Sequence, residues 1–164
     1  LTINDNIVPN SKIRTNSYVT YRNVAVYKKD SNFKVLDIKS LRTKSVAAFQ
    51  NATKYLGDEY TATVRFNNNY IEVPSQYQQV KLLIEGRIEV AVMDENIFWY
   101  IFNQLKDEVT HPTEFVLSPI FQPSQYSAAF KNPGLVKPFN RALKVFKQSN
   151  EYLQLKKKYN IKHQ

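Results

Sequence analysis

The chain alternates short runs of apolar residues with longer segments in which apolar residues recur at helical spacing. The short runs are rich in Val, Ile, Tyr and Phe, which is typical of β-strands. The predicted strands are residues 23–28, 45–49, 70–73, 88–93, 115–120 and 126–130. Because the run at 88–93 is mostly apolar, we expect this strand to be buried on both faces of a sheet.

The longer segments predict amphipathic helices. They are residues 52–65, 75–85, 95–105 and 135–159. Gly86 follows the second segment, as a glycine does past a helix C-terminus, and Ser149 with Asn150 predicts a break within the last one. Since strands and helices alternate, the sequence predicts an α/β fold with a mostly parallel sheet flanked by helices.

Composition narrows the classes of function. The chain has 164 residues and 43% hydrophobic residues, enough for one packed domain or slightly more. Cysteine is absent, which excludes disulfides, thiolate nucleophiles and cysteine-ligated zinc. His111 and His163 are isolated from each other and from paired carboxylates, so we expect no metal site.

The net charge of +9 at pH 7 would suit nucleic acid, but the basic residues are spread along the chain. Their only tight run, residues 156–158, lies near the end of a predicted helix, where cations favour the helix dipole. We therefore predict a solvated basic surface and no nucleic-acid partner. The sequence from Leu1 onward lacks the pattern of a signal peptide, so we expect either a mature extracytoplasmic chain or a cytoplasmic one.

A polar turn follows the predicted strand at 45–49 and precedes a predicted helix. It consists of Gln50, Asn51, Ala52 and Thr53. Ligands of open α/β sheets bind beyond the carboxyl ends of the strands, and the N–H groups of a helix start favour an anion. Asn51 or Thr53 could instead cap the helix, and the sequence leaves both roles open.

Asp94 stands between the predicted strand at 88–93 and the helix at 95–105. It could cap this helix, accept a hydrogen bond from a ligand, or do both through its two oxygens. Glu95 and Asp94 point apart on such a turn, which argues against a catalytic carboxylate pair. No motif places a nucleophile beside a base, so we predict no catalytic residue, no enzymatic activity and no cofactor.

Three segments in a fixed order carry a family resemblance: residues 45–56, residues 80–94, and residues 139–143 with Tyr152 and Tyr159. They resemble the amino-acid-binding family of extracytoplasmic solute-binding proteins, the bilobed type II periplasmic receptors of ABC importers. The resemblance implies a periplasmic-binding-protein-like fold with an interlobe ligand cleft. It also implies a periplasmic or otherwise extracytoplasmic location and no enzymatic activity.

The resemblance implies roles for individual residues. The turn at 50–53 matches a Gly-Thr-Thr-like segment that binds the ligand's carboxylate, with Thr53 at the second Thr. Asp94 matches an Asp that pairs with the ligand's ammonium group, and Tyr18 lies where an aromatic segment enters the hinge and could line the cleft. The family's carboxylate-binding Arg is missing, and Arg14 lies several residues late. A neutral or cationic solute therefore stays open beside a zwitterionic amino acid.

The resemblance covers nearly the whole chain but lacks the family's opening portion, so we expect an N-terminally incomplete bilobed protein. Residues 1–21 would be a remnant of lobe 1 with the first hinge strand, 22–124 a complete lobe 2, and 125–164 the second hinge strand and the helices returning to lobe 1. The expected function is that of an importer receptor for a small polar solute. The alternative is an extracytoplasmic sensory input domain of a membrane-bound signalling protein.

The helical segment at 135–159 has an apolar face that an incomplete lobe would leave uncovered. It comprises Leu135, Phe139, Leu143, Phe146 and Leu153. Exposed faces of this kind are usually buried by a partner. The expected partners are the small-molecule ligand, an ABC permease or the missing lobe-1 segment, and a second copy of the chain.

Overall fold

The computed structural model describes residues 2–4, 12–108, 113–159 and 161. The chain divides into two units. The inserted unit is Arg22–Gln122, and the terminal unit combines Leu1–Tyr21 with Pro123–Gln164. The predicted second lobe starts at the same residue and ends at 124 rather than at Gln122; its equivalence to a complete family lobe stays a prediction.

The described strands and helices follow the predicted alternation. The strands are β1 (Thr2–Ile3), β2 (Arg14–Tyr21), β3 (Asn23–Lys28), β4 (Val46–Phe49), β5 (Tyr70–Val73), β6 (Val90–Asp94), β7 (Phe115–Ser118) and β8 (Ser124–Ala129). The α-helices are α1 (Ala52–Tyr55), α2 (Asp58–Val64), α3 (Gln76–Ile84), α4 (Glu95–Leu105), α5 (Val136–Lys147) and α6 (Asn150–Lys158). Short 3-10 helices occur at Ile38–Thr43, Lys106–Glu108 and Pro133–Leu135.

The inserted unit is built on a five-stranded sheet in the order β5-β4-β6-β3-β7. Strand β4 pairs in parallel with both β5 and β6, whereas β3 pairs antiparallel with β6 and β7. Only β3 therefore runs against the other strands of this sheet, which makes it mixed. The prediction of an α/β sheet flanked by helices is confirmed, and the three strands beginning near Val24, Val46 and Ile88 share one sheet as predicted.

Helices cover both faces of this sheet. Successive side chains of a strand point to opposite faces of the sheet, so the apolar side chains of the two faces form two separate buried clusters. The cluster under α3 and α4 includes Val24, Val26, Ala47, Ala91 and Met93. The cluster under α1 and α2 includes Ala25, Val46, Ala48, Val90 and Val92. Strands β4 and β6 supply both clusters, which is why their sequences read as continuous apolar runs.

The predicted helix at 52–65 was wrong as a single element. The chain forms two short helices, α1 and α2, because Gly57 between them adopts φ +90° and stops the first. The apolar spacing survives this break, so periodicity alone did not reveal it. Gly86 behaves as predicted: with φ +70° it follows α3 in the left-handed conformation that glycine adopts past a helix end.

The terminal unit contains a three-stranded antiparallel sheet in the order β1-β8-β2, together with α5 and α6. The predicted break at Ser149 is confirmed: its hydroxyl accepts from the Tyr152 N–H and caps α6. Phe139 of α5 packs its ring 5.4 Å from that of Phe130. The Asn140 side-chain oxygen accepts from the Asn16 N–H at 2.8 Å, which joins α5 to β2.

Apolar side chains on the helices of the terminal unit are largely exposed, and neither α5 nor α6 contains a buried residue. We call the exposed set the terminal apolar face. It comprises Leu135, Val145, Phe146, Leu153 and Leu155. Among the helices of the described residues, none has both the length and the apolar character needed to cross a membrane.

Candidate functional site

The carboxyl ends of β4 and β6 lie side by side in the inserted unit. The parallel register pairs Ala47 with Ala91 and Ala48 with Val92. The turn that leaves β4 and the Asp94 that ends β6 therefore reach the same edge of the sheet, as the sequence predicted for a ligand site of an open α/β sheet. Neighbouring strands are ~4.8 Å apart, so the ends of β4 and β6 are close enough for one small molecule to contact both.

Gln79 holds these two strands together close to that edge. Its side chain is fully buried, and its Nε2 donates to the Ala47 carbonyl at 2.8 Å and to the Val92 carbonyl at 3.0 Å. A buried amide that bridges two backbone carbonyls fixes the spacing of the strands that carry them. Gln79 therefore holds β4 and β6 together just before the strand ends that carry the 50–53 turn and Asp94.

The 50–53 turn has an unusual backbone. Asn51 is left-handed, with φ 64° and ψ 24°, a conformation that asparagine tolerates better than most residues. It occupies the N-cap position of α1, but its side chain makes no capping hydrogen bond. Ala52 is buried and Gln50 is exposed. The predicted side-chain capping by Asn51 is therefore not observed.

A carboxylate from the neighbouring strand occupies the donors of this turn. The Asn51 N–H donates to Glu72 Oε2 at 2.6 Å, and the Thr53 N–H donates to Glu72 Oε1 at 3.0 Å. The Thr53 hydroxyl donates to the same Oε1 at 2.9 Å. The sequence predicted that the turn would bind an anion or be capped locally, whereas in the structure Glu72 of β5 is both the anion and the cap.

Tyr70 completes the surroundings of Glu72. Its hydroxyl donates to Oε1 at 2.9 Å, and the hydroxyl of the fully buried Tyr60 donates to that of Tyr70 at 3.4 Å. Burial alone raises the pKa of Glu72, but the hydrogen bonds from Thr53, Tyr70 and Asn51 outweigh it and lower that pKa below its ordinary value. Burial is also the main reason why the pKa of Tyr70 is raised. Glu72 is therefore ionised at neutral pH and both hydroxyls keep their protons.

Asp94 caps α4, one of the two roles that its sequence position allowed. Its Oδ1 accepts from the N–H groups of Asn96 and Ile97 at 2.9 and 3.1 Å, and its Oδ2 accepts from the Arg22 N–H at 2.8 Å. Burial raises the pKa of Asp94 against the opposing effect of these three hydrogen bonds. A carboxylate can accept about four hydrogen bonds, and these contacts account for three on a residue that is 4% exposed. Its ligand role stays a prediction.

Asn23 is a polar residue of this edge that the sequence did not single out. It faces Asp94 directly across the antiparallel pair of β3 and β6. Its side chain is 4% exposed, and its Nδ2 has no hydrogen-bond partner among the described residues. Buried amide groups are rarely left unpaired, so this donor is available to a group that is not part of the described chain.

The structure separates one predicted site residue from the others. Gln50, Asn51, Ala52, Thr53 and Asp94 all lie in the inserted unit, whereas Tyr18 lies on β2 of the terminal unit. The Tyr18 hydroxyl forms a 2.7 Å hydrogen bond with the Thr2 hydroxyl. Its predicted place in a ligand cleft stays a prediction.

The two histidines that the sequence left out as metal ligands, His111 and His163, lie outside the described residues. Within the ranges that the structure describes, no group of three or more His, Cys, Asp or Glu side chains could hold a metal ion.

Comparison with known proteins identifies a fold. No model of a known protein family matches the chain, and no curated protein sequence matches it. A histidine kinase sensor domain with similarity to periplasmic binding proteins matches with a TM-score of 0.68 and 17% identity, over 89% of this chain and 61% of that one. The substrate-binding protein of an amino acid ABC transporter matches with a TM-score of 0.62 and 20% identity, over 89% and 62%. An ancestral arginine-binding protein bound to arginine matches with a TM-score of 0.67 and 17% identity, over 89% and 63%.

These similarities show that the chain has the α/β fold of periplasmic binding proteins over the part that it spans. The chain spans less than two thirds of the length of each of these three structures. Two of the three are binding proteins for small molecules and one is a sensor domain, and none is described as an enzyme.

Proposed function

We propose that this chain is a binding protein for a small polar solute, and that the carboxyl edge of the sheet in the inserted unit contacts the solute. The observation that carries the proposal is the meeting of the 50–53 turn and Asp94 at one edge of a sheet with the periplasmic-binding-protein fold. Asn23 supports it, because its Nδ2 donor is buried and unpaired on the residue that faces Asp94 across β3 and β6. Donor and acceptor side by side suit a polar solute.

The proposed solute class is amino-acid-like molecules and their amine or amide relatives. Asp94 offers an acceptor to an ammonium or amide donor, and Asn23 offers a donor to a carbonyl or hydroxyl. Catalysis is not part of the proposal: within the described residues the carboxylates near this edge are committed to backbone groups and hydroxyls, and none of them contacts a nucleophile–base pair.

We place the protein outside the cytoplasm, as an ABC-importer receptor or as the sensory input domain of a signalling protein. The likeness to an ABC transporter's binding protein supports the first, and the likeness to a histidine kinase sensor domain supports the second. The reading frame of the gene separates them. Continuation beyond residue 164 into a membrane span and a signalling domain would identify the sensor, and a neighbouring permease gene without such a span would identify the importer receptor.

The terminal apolar face implies a macromolecular partner in either case. Exposed apolar side chains clustered on two consecutive helices favour burial against another surface. We propose a second copy of the chain or a lobe-1 segment as the occupant, with an ABC permease as a partner of the whole importer receptor.

The experiment that tests the binding function is a thermal-shift screen of amino acids, amines and neutral polar solutes, followed by calorimetry. Asp94→Asn keeps the shape of the side chain and removes its charge, and Asp37→Asn makes the same change at an exposed N-cap of a 3-10 helix. Loss of a charged hydrogen bond to the solute costs roughly 2–5 kcal/mol, a drop in affinity of at least about thirtyfold. Equal affinities of the two variants would remove Asp94 from the site, and a screen without any binding solute would contradict the proposed function.

A further inference from the structure

We propose that Glu72 makes the site selective for the charge of the solute. It occupies the hydrogen-bond donors of the 50–53 turn, so the turn rejects a carboxylate and this edge of the sheet binds cationic or neutral solutes. The inference rests on the proposed function and names the solute class for the same site. Glu72 is not among the residues that carry the family resemblance. Its part in the site follows from four hydrogen bonds in the structure.

The donors of the turn are already used. An incoming carboxylate would need the N–H groups of Asn51 and Thr53 or the Thr53 hydroxyl, and all three donate to Glu72 at 2.6 to 3.0 Å. The Tyr70 hydroxyl also donates to the Glu72 carboxylate and helps to hold it against the turn. A solute carboxylate could bind to these donors only after their hydrogen bonds to Glu72 had been broken.

The charge of Glu72 acts in the same direction. All four of its recorded hydrogen-bond donors are neutral groups, two backbone amides and two hydroxyls, so they stabilise the negative charge without cancelling it. Asp94 adds a second carboxylate at the end of β6, two strands along the same sheet. A third carboxylate from a solute would meet like charge, whereas a cation would be attracted.

The position of Glu72 in the sheet explains how it reaches the turn. Its register partner on β4 is Ala48, which lies in the cluster under α1 and α2, so the two side chains lie on the same face. A residue on that face of β5, beside the end of β4, lies next to the start of α1. An alanine at 72 would keep the strand and leave the donors of the turn without an acceptor.

The first test uses agmatine and arginine, which differ only in the α-carboxylate, with calorimetry on the full chain. We expect wild type to bind agmatine at least about tenfold more tightly than arginine, a difference of about 1.4 kcal/mol. Glu72→Gln should reduce this preference by about tenfold, since one unit of charge near the site is removed. Glu114→Gln is the matched control, because Glu114 is an exposed carboxylate of the same unit that pairs with Lys29. Equal affinities of wild type for the two solutes would overturn the proposal.

The second test does not depend on the solute. Acetate is titrated into the isotope-labelled full chain while the amide resonances of Asn51 and Thr53 are followed by NMR. We expect no saturable shift in wild type and a saturable shift in Glu72→Ala, with the methyl resonances of the core reporting that the variant is folded. Glu72→Gln serves if Glu72→Ala does not fold, because its amide oxygen still accepts one hydrogen bond from the turn.

The two tests separate the failure of each idea. If neither agmatine nor arginine binds to any variant, while acetate binds only after Glu72 is removed, the role of Glu72 stands and the proposed solute class is wrong. If acetate shifts the Asn51 and Thr53 amides equally in wild type and variant, the turn is open to external carboxylates and the role assigned to Glu72 is wrong.

Discussion

Replacing Asp94 by alanine removes one side chain that three backbone N–H groups depend on. Two of these belong to the first turn of α4, Asn96 and Ile97, and the third belongs to Arg22 at the start of the inserted unit. The variant therefore uncaps a helix and also loosens the junction between β3 and β6. Replacing an N-cap residue that bonds only to its own helix would uncap that helix and have no second effect.

The magnitude follows from these two losses. Removing an N-cap side chain costs about 0.5–2 kcal/mol. Leaving a partly buried N–H group without its acceptor costs about 1 kcal/mol, at the low end of the usual range because water can reach Arg22. We expect Asp94→Ala to lower the free energy of unfolding by about 1.5–3 kcal/mol. Asp94→Asn should cost less, because its amide oxygen still caps α4 and only the acceptor for Arg22 is lost.

Urea unfolding measures this difference through the intrinsic fluorescence of Trp99. This residue is the only tryptophan of the chain and lies in α4, the helix that Asp94 caps. With an m-value of roughly 1.5–2 kcal/mol per molar urea, the midpoint should fall by about 0.8–2 M. Asp37→Ala is the control: Asp37 is an exposed residue that caps its own 3-10 helix by accepting from the Ser40 N–H, and its loss should cost under about 1 kcal/mol. Equal midpoints for the two alanine variants would refute the reasoning that Asp94 joins two elements.

Three further outcomes are expected. Glu72→Gln should destabilise the chain at neutral pH; because folding lowers the pKa of Glu72, the difference from wild type is full above the ordinary glutamate pKa and disappears as the pH falls through the folded value, which urea titrations across pH would detect. Gly86→Ala should cost about 1 kcal/mol, because φ is +70° there while the nearest atom, Lys28 Nζ at 3.7 Å, leaves room for a methyl group; an unchanged melting temperature would contradict this. Val145→Glu, at a residue of the terminal apolar face that is 69% exposed, should change stability by less than about 0.5 kcal/mol and abolish self-association in light scattering; a dimer that persists would exclude the terminal apolar face as its interface.

Much of the fold could be predicted because its signals are local. Runs of β-branched and aromatic residues indicate a strand, and apolar residues three or four positions apart indicate a helix. A capping polar residue or a glycine next to the helix indicates where it begins or ends. Asp94 before α4, Ser149 before α6 and Gly86 after α3 were all found in this way. Gly57 was missed because the apolar spacing continues across it.

Part of the candidate site could also be predicted. Strand ends followed by polar residues mark the ligand edge of an α/β sheet, so the 50–53 turn and Asp94 were singled out from the sequence and lie together in the structure. Asn23 was not, because its significance depends on the strand that faces it. On the sequence alone it is one polar residue at the start of a predicted strand.

What the sequence determined by itself is therefore the elements, their order and the polar residues at their ends, since each depends on neighbours a few positions away. Only the tertiary structure decided which groups satisfy one another at the edge. Glu72 reaches Asn51 across 21 positions because β5 pairs in parallel with β4, and the Arg22 N–H reaches Asp94 across 72 positions because β3 pairs with β6. Such contacts arise from strand pairing between distant segments, which leaves no periodic signal in the chain. From the sequence, the N–H groups of the 50–53 turn are predicted to be free to bind an anion. In the structure, the pairing of β5 with β4 brings the Glu72 carboxylate to these donors.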